Sequence, residues 1–251
     1  MLKQILTLVI LLFSMSGFSQ DFKYFDTKRD YIYDALYIDS IGDTITNEKL
    51  TIRIPDKRWI GQPWKQKSII YIYDTDTIGF KNYIDPSEFF HEKNMTHLEK
   101  HGKSRLKNQE TTGGIKSKRY SYVYMHPPRT NQYRMLFYAP HPYFFYSAVK
   151  KVVDTALLTN QNAYGAGYFH QEYIYHNIGK KEILNDSIQV YQVNVSSNLI
   201  SNKGFSETEL NFYSSTLEAL FSFEYGFTKM HYAFKSGVKI EFDLVEVIEN
   251  E

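Results

Sequence analysis

Apolar and polar residues alternate along most of the chain, and a period of two is typical of β-strands with one buried face. Within residues 48–54, for example, Leu50, Ile52 and Ile54 alternate with polar residues. The same alternation predicts further strands over residues 31–38, 69–74, 118–125, 132–138, 168–176 and 188–195. Gly, Asn, Asp or Pro turns separate these segments, which is typical of a sheet built from sequential strands.

The strongest alternation lies near the C-terminus, over residues 216–244. Two turns interrupt it, one at Tyr225 and Gly226 and one at Ser236 and Gly237, so it predicts an antiparallel meander of three strands. The residues predicted to face the core are Leu217, Phe221, Phe223, Met230, Tyr232, Phe234, Val238, Ile240, Phe242 and Leu244. His231 belongs to the opposite set and is predicted to lie on the surface.

Two segments carry helical signals. In the first, Asp85 can cap a helix, Pro86 suits its first turn, Glu88 completes a capping box and Gly102 ends it. The second, over residues 147–158, has valine and leucine at helical spacing. The fold predicted is therefore mainly β, with one or two helices. A single antiparallel, strongly curved sheet, a sandwich and a partial barrel all satisfy the pattern.

The N-terminus has the pattern of a secretory signal peptide. Lys3 precedes an apolar run over residues 5–13, and the small residues Gly17 and Ser19 precede a cleavage site before Gln20. The apolar run is about half of the roughly 20 residues that a membrane-spanning helix needs. We therefore expect an exported protein, periplasmic or secreted, with no transmembrane segment in the mature chain.

Charge and cysteine content narrow the class of protein. We expect residues 1–19 to be removed and residues 20–251 to form a single β-rich domain. Removing Lys3 lowers the 29 Lys and Arg by one, so that they equal the 28 Asp and Glu. A neutral chain without a basic cluster does not suit nucleic-acid binding. There is no cysteine, so disulfides and a cysteine-linked lipid anchor are both excluded.

Two histidines of the first predicted helix are candidate metal ligands. At 100° per residue, His97 and His101 lie about 40° apart, whereas the acidic residues of this helix point away from them. Zinc would need a third protein ligand, which the sequence does not identify. A solvated or half-buried helix face is the alternative interpretation of these residues.

Three polar residues share one face of the predicted strand 168–176, namely His170, Glu172 and His176. At about 3.3 Å per residue, the two histidines are roughly 20 Å apart. These side chains therefore cannot converge on one ion, and a polar ladder across neighbouring strands is expected instead.

The run YVYMHPPRTNQYRMLFYAPHPYFFY, residues 122–146, combines many aromatic rings with two proline corners. Four residues at these corners, His126, Arg129, His141 and Tyr143, are the candidate ligand-binding residues. A strand between the corners would hold them some 25 Å apart, which disfavours a single site. His126 with Arg129 could still hold an anionic group at one corner, and the rest of the run is expected to be scaffold.

Several short motifs carry a resemblance. They are RWIGQPW at 58–64, TTGG at 111–114, HPPR at 126–129, APHPYF at 139–144, GFTKMHYAF at 226–234 and GVKIEF at 237–242. With these motifs the chain resembles exported β-rich proteins of Gram-negative bacteria that are often lipid-anchored and have no known reaction. The resemblance implies export and β-structure. The chain departs from the lipid-anchored members because it lacks the anchoring cysteine.

Aromatic content favours binding over catalysis. The chain has 22 Tyr and 18 Phe, and tyrosine presents an apolar ring with a polar tip that suits amphipathic ligands and partner surfaces. The predicted function is that of an exported, non-catalytic β-rich protein that binds an apolar or amphipathic small molecule, or an envelope partner, without a cofactor. Two alternatives stay open, a metal-assisted hydrolase and a structural component of an envelope assembly. No nucleophile motif such as GxSxG supports an enzyme.

Overall fold

The computed structural model describes most of the β-structure of the chain. The residues that it describes are 27–59, 66–74, 109–117, 122–129, 133, 135–136, 138–145, 155–160, 167–201 and 214–250. The first six strands are β1 Arg29–Ile38, β2 Thr44–Arg53, β3 Lys67–Tyr73, β4 Gln109–Ser117, β5 Tyr122–Met125 and β6 Tyr143–Phe145. The other six are β7 Thr155–Asn160, β8 Gly167–Ile183, β9 Asp186–Ser201, β10 Ser215–Ser222, β11 Gly226–Phe234 and β12 Lys239–Glu249.

All these strands form one antiparallel sheet in the order β6-β5-β4-β3-β2-β1-β12-β11-β10-β9-β8-β7. Two runs of sequential strands, β1 to β6 and β7 to β12, are joined in the middle where β1 pairs with β12. The strands β6 and β7 are therefore the two edges of the sheet. The prediction of a mainly β, antiparallel fold is confirmed.

The sheet is curled into a half-barrel, so that its first edge reaches the inner face of its other half. In the sheet order β6 and β10 are eight positions apart, which would be about 38 Å in a flat sheet. Phe144 of β6 nevertheless stacks on Phe221 of β10 with ring centroids 4.0 Å apart. Tyr175 of β8 also donates a hydrogen bond of 3.2 Å to the backbone oxygen of Tyr143. Two of the three predicted architectures, a strongly curved sheet and a partial barrel, describe this half-barrel, whereas a sandwich of two sheets does not.

The residues that the structure describes between β5 and β6, namely 126–129, 133, 135–136 and 138–142, form an inner segment that packs on the concave face of the sheet. Its residue Tyr133 stacks on Tyr73 at 5.7 Å, contacts Phe242 at 5.3 Å and donates a hydrogen bond of 2.7 Å to the buried carboxylate of Glu48. The side chains of this segment that are buried include Tyr133, Met135, Leu136, Tyr138 and Ala139. The aromatic run is therefore mainly core, as the sequence predicts.

The predicted strand 132–138 is wrong, because none of the described residues in this range belongs to the sheet. The backbone here makes local hydrogen bonds instead, from Tyr138 N to Met135 O at 3.1 Å and from Ala139 N to Leu136 O at 3.3 Å. Consecutive residues such as Met135 and Leu136 are buried rather than alternate ones. Enclosure by the sheet overrides the local alternation.

The C-terminal meander agrees with the prediction. All ten predicted inward residues are buried except Phe223, which is half-buried. Gly226 and Gly237 adopt positive φ angles of 70° and 96°, as the two turns require. Tyr33 of β1 adds a hydrogen bond of 2.6 Å to the backbone oxygen of Phe227, which ties β11 to the centre of the sheet.

The two helix predictions agree less well with the structure. The first predicted helix, residues 85–102, lies outside the described residues. The second, residues 147–158, is wrong at its C-terminal end, where residues 155–160 form strand β7 and pair with β8. Pairing along the open side of β8 evidently outweighs the helical spacing of the apolar residues. The part of the chain that the structure describes contains no helix of the length and apolarity needed to cross a membrane.

Candidate functional site

Two histidines that the sequence analysis separates lie side by side in the structure. His126 follows β5 and His141 precedes β6, and these strands pair antiparallel with Tyr124 opposite Tyr143. The inner segment therefore leaves and rejoins the sheet at the same rim. The imidazole centroids of His126 and His141 are 4.8 Å apart, so the expected separation of some 25 Å is wrong.

One tyrosine hydroxyl joins the two imidazoles. The Tyr124 hydroxyl oxygen is 2.7 Å from Nδ1 of His141 and 3.1 Å from Nδ1 of His126. The hydroxyl has one proton, and the shorter distance favours its donation to His141. A neutral His126 can then donate its own N–H to the same oxygen. The arrangement is a hydrogen-bonded chain from His126 through Tyr124 to His141.

Buried tyrosines hold the backbone at both histidines. Tyr71 of β3 donates to the backbone oxygen of His126, and Tyr173 of β8 donates to that of His141 at 3.0 Å. The backbone N–H of His126 donates to the oxygen of Gly113 at 3.1 Å. The two imidazoles are thus fixed from opposite halves of the curled sheet, and we name Tyr124, His126, Arg129 and His141 the histidine corner.

A glycine makes room for the outer wall of this corner. A β-carbon at Gly113 would lie 2.3 Å from the ring of Trp59 and 2.1 Å from the side-chain oxygen of Gln66. Trp59 can therefore lie directly over β4, and its ring meets the imidazole of His126 edge-on at 5.5 Å. The TTGG motif has a clear physical role here, because any larger residue at its first glycine would displace Trp59 and Gln66.

Burial keeps both imidazoles uncharged. Desolvation lowers the pKa of His126 to about 2, with smaller contributions from His141 and the charge of Arg129. Desolvation and Arg129 lower the pKa of His141 to about 3. Burial also raises the pKa of the Tyr124 hydroxyl, so this group keeps its proton. The histidine corner is therefore neutral except for its guanidinium.

Arg129 brings the positive charge. Its guanidinium Nη2 donates to the Thr112 hydroxyl at 3.1 Å, and its backbone N–H donates to the carboxylate of Glu110 at 2.8 Å. The side chain is half-buried. Its charge stands close enough to contribute to the lowered pKa values of both histidines and to offset part of the rise in the pKa of Tyr124.

An aromatic strip runs from the histidine corner along β5 and β6. It consists of the half-buried rings of Tyr122, Tyr124, Tyr143 and Phe145. Tyr122 stacks on Tyr143 at 5.0 Å, and Tyr143 contacts Phe145 at 4.2 Å and Tyr124 at 5.9 Å. The strip gives the polar corner an apolar extension.

The structure thus brings together the four residues predicted to bind a ligand, His126, Arg129, His141 and Tyr143. Sequence analysis assigned no role to Tyr124. Its place in the alternation before His126 was visible, but the return of the chain to the same rim was not. The predicted metal ligands His97 and His101 lie outside the described residues.

Other histidines lie on the outer face of the sheet. His170 and His176 of β8 are opposite Asn198 and Gln192 of β9, which agrees with the predicted polar ladder. His231 of β11 is directly opposite Glu241 of β12. The turn at Ser236 and Gly237 fixes this pairing, so the sequence contained the signal that His231 would meet a carboxylate.

Comparisons with known proteins add little. No protein-family model matches the chain, and no curated protein matches it. The search of solved structures finds a protein described as "a putative lipoprotein from Parabacteroides distasonis ATCC 8503", with 10% identity and a TM-score of 0.43. That match covers 91% of this chain and all of the other. A likeness at this level supports no argument about function.

Proposed function

We propose that this protein is exported and binds an amphipathic small molecule without catalysing a reaction. The polar head of the ligand lies at the histidine corner and its apolar part lies along the aromatic strip. Export rests on the signal-peptide pattern of residues 1–19. The observation that carries the binding role is the continuity of a neutral, hydrogen-bonding corner with half-buried aromatic rings.

The corner suits a head group with anionic oxygens. Arg129 supplies a positive charge, and neutral His141, which accepts from Tyr124 at Nδ1, carries its proton on Nε2 and offers that N–H to an acceptor. Half-burial of the guanidinium strengthens its attraction for an anion relative to a fully exposed position. Carboxylate or phosphate monoester heads fit this description.

The strip suits a flat or chain-like apolar body. Stacked and tilted aromatic rings present apolar area at low conformational cost, and tyrosine tolerates contact with water at its hydroxyl end. Most of the concave face is already filled by the inner segment, which contacts both halves of the sheet. The ligand is therefore assigned to the rim beside β5 and β6 and not to the interior of the half-barrel.

A catalytic role has less support. Within the described residues, neither imidazole of the corner is hydrogen-bonded to a carboxylate or to a serine hydroxyl, and the partner that the two share is Tyr124. A general base needs a pKa near the working pH, and burial lowers both histidine pKa values far below that range. These groups are better suited to hydrogen bonding than to proton transfer.

A pair of probes with opposite head charges tests the proposal. We expect a fluorescent fatty acid to bind the purified chain more tightly than an alkylammonium of equal chain length. Arg129→Gln should abolish this preference, and Tyr143→Ser should weaken the binding of both probes. Lys239→Gln, an exposed lysine of β12, is the control and should change neither. Absence of binding by both probes, or equal affinities that none of the variants alters, would contradict the proposal.

A further inference from the structure

Three metal-competent side chains converge on the outer face of the sheet, far from the aromatic strip in strand order. His231 of β11 lies opposite Glu241 of β12, and Asp243 lies two residues further along β12. One ligand atom from each residue can be chosen so that all three lie within 4.8 Å of one another. We name these residues the outer trio.

The individual distances leave room for an ion. His231 Nε2 is 2.8 Å from Asp243 Oδ2, and His231 Nδ1 is 4.0 Å from Glu241 Oε1. Bonds of about 2.0 Å to a tetrahedral ion place neighbouring ligand atoms about 3.3 Å apart. The two measured distances involve different nitrogens of His231, and an ion binds only one of them. One ligand atom from each residue still lies within 4.8 Å of the others, so rotation of the Glu241 side chain towards Nε2 would complete the site.

The trio is partly sheltered and still open to water. The side chains of His231 and Glu241 are each 25% exposed, and that of Asp243 is 48% exposed. A fourth coordination position can thus be taken by a water molecule, as in zinc sites with three protein ligands. Partial burial also reduces solvent screening of the two carboxylates.

Neighbouring lysines are paired with other carboxylates. Lys229, which is opposite Asp243, forms an ion pair of 2.8 Å with Glu218 of β10. Lys49 of β2 forms an ion pair with Asp34 of β1, and Asp34 is the partner of Asp243 on its other side. The side chain of His231 contacts both carboxylates of the trio, and the group has a net negative charge when the imidazole is neutral.

We propose that the outer trio binds a divalent transition-metal cation, with zinc the best match. An imidazole nitrogen with two carboxylate oxygens is a ligand set of zinc, whereas magnesium and calcium take oxygen ligands almost exclusively. A dication would neutralise the two carboxylates when the imidazole is neutral. This site is independent of the proposed small-molecule site.

A site-specific readout is needed because the chain has eight histidines. We would record the imidazole nitrogen signals of the full chain by NMR while adding zinc chloride, and then magnesium chloride to a second sample. The signals of His231 should shift and saturate at one equivalent of zinc, and magnesium should leave them unchanged. Unshifted His231 signals in excess zinc would overturn the proposal and leave a plain His231–Asp243 hydrogen bond.

Variants provide the second measurement. Outer-shell changes commonly cost 10-fold to 100-fold in metal affinity, so loss of a direct ligand should cost at least about tenfold. Asp243→Asn and Glu241→Gln should each weaken zinc binding to this extent in calorimetry. Glu246→Gln on the same strand and His176→Asn on β8 are matched outer-face controls and should not. Equal zinc affinity in all four variants would also overturn the proposal.

Discussion

Within the described residues, the histidine corner and the outer trio place histidine side chains in opposite surroundings. In the histidine corner, His126 and His141 contact a tyrosine, a tryptophan and each other, and the pKa values of both fall far below the usual range. In the outer trio, His231 contacts two carboxylates at a surface open to water. The same side chain therefore serves as a neutral hydrogen-bonding group in one place and as the partner of negative charge in the other.

The difference follows from the packing around each cluster. Trp59, Tyr124 and the inner segment enclose the two imidazoles at the rim of the sheet, so a charge there would lose its hydration and the imidazoles stay neutral. The outer face keeps solvent, so carboxylates can remain close together beside a histidine. Burial, and not residue type, decides the chemistry of each cluster.

The largest expected effect is the loss of unfolding free energy at acid pH. An unfolded histidine has a pKa near 6.5, and the folded values of His126 and His141 are lower, so the unfolded chain binds more protons below that pH. The free energy of unfolding should therefore fall as pH drops from about 6.5 towards 3, by up to roughly 1.4 kcal/mol per pH unit for each histidine.

Urea unfolding between about pH 7 and pH 4 measures this effect. The double variant His126→Gln, His141→Gln should lose the two-histidine part of the slope, and each single variant should lose about half of it. A double variant with the same pH slope as the parent would show that these imidazoles are not held neutral.

Truncation of a histidine to alanine should lower the free energy of unfolding more in the histidine corner than in the outer trio. His126→Ala leaves a cavity among Trp59, Tyr124 and His141, and we expect it to lower the free energy of unfolding by about 2–4 kcal/mol. His231→Ala removes a half-exposed side chain and should cost less than about 1 kcal/mol. Chemical denaturation of both variants makes the comparison, and similar losses would contradict it.

A larger side chain at the wall of the histidine corner should have an intermediate effect on the free energy of unfolding. Gly113→Ala would force Trp59 and Gln66 to move and should cost about 1–3 kcal/mol. The indole fluorescence of Trp59 should change as well. Thr111→Ala, at an exposed position of β4, is the control and should change neither property. A Gly113→Ala variant as stable as the parent would mean that Trp59 does not lie over β4.

The smallest effect is expected on the outer face in metal-free buffer. Asp243→Asn removes one charge of a half-exposed pair and should change the free energy of unfolding by less than about 1 kcal/mol. Added salt should reduce the difference further, because it screens exposed charges. Thermal unfolding at low and high salt checks this, and a loss of several kcal/mol would place the trio among the buried groups.

The sequence predicts the C-terminal meander better than it predicts the inner segment. The meander β10 to β12 is predictable because its turns fix the register and only one face of each strand is buried. Residues 132–138 carry the same alternation, yet those of them that the structure describes lie inside the curl and are all buried. Local patterning contains no information about that enclosure. Strand β7 is missed for a different reason, since its apolar residues have helical spacing although the segment pairs with the next strand, β8.

The histidine corner illustrates the same limit. The residue types His126, Arg129, His141 and Tyr143 could be singled out from the sequence, but their convergence depends on the pairing of β5 with β6 and on the path between them. The outer trio shows the reverse case. Its pairing follows from the hairpin turn alone, so it was within reach of the sequence pattern.

The central claim is that the inner segment returns to the rim from which it starts and brings His126 and His141 together as neutral side chains. Proton NMR of the histidine-labelled chain at pH 5 tests it most directly. The account predicts a nuclear Overhauser contact between the ring protons of His126 and His141, with both imidazoles uncharged. The absence of that contact, or two protonated rings at this pH, would contradict it.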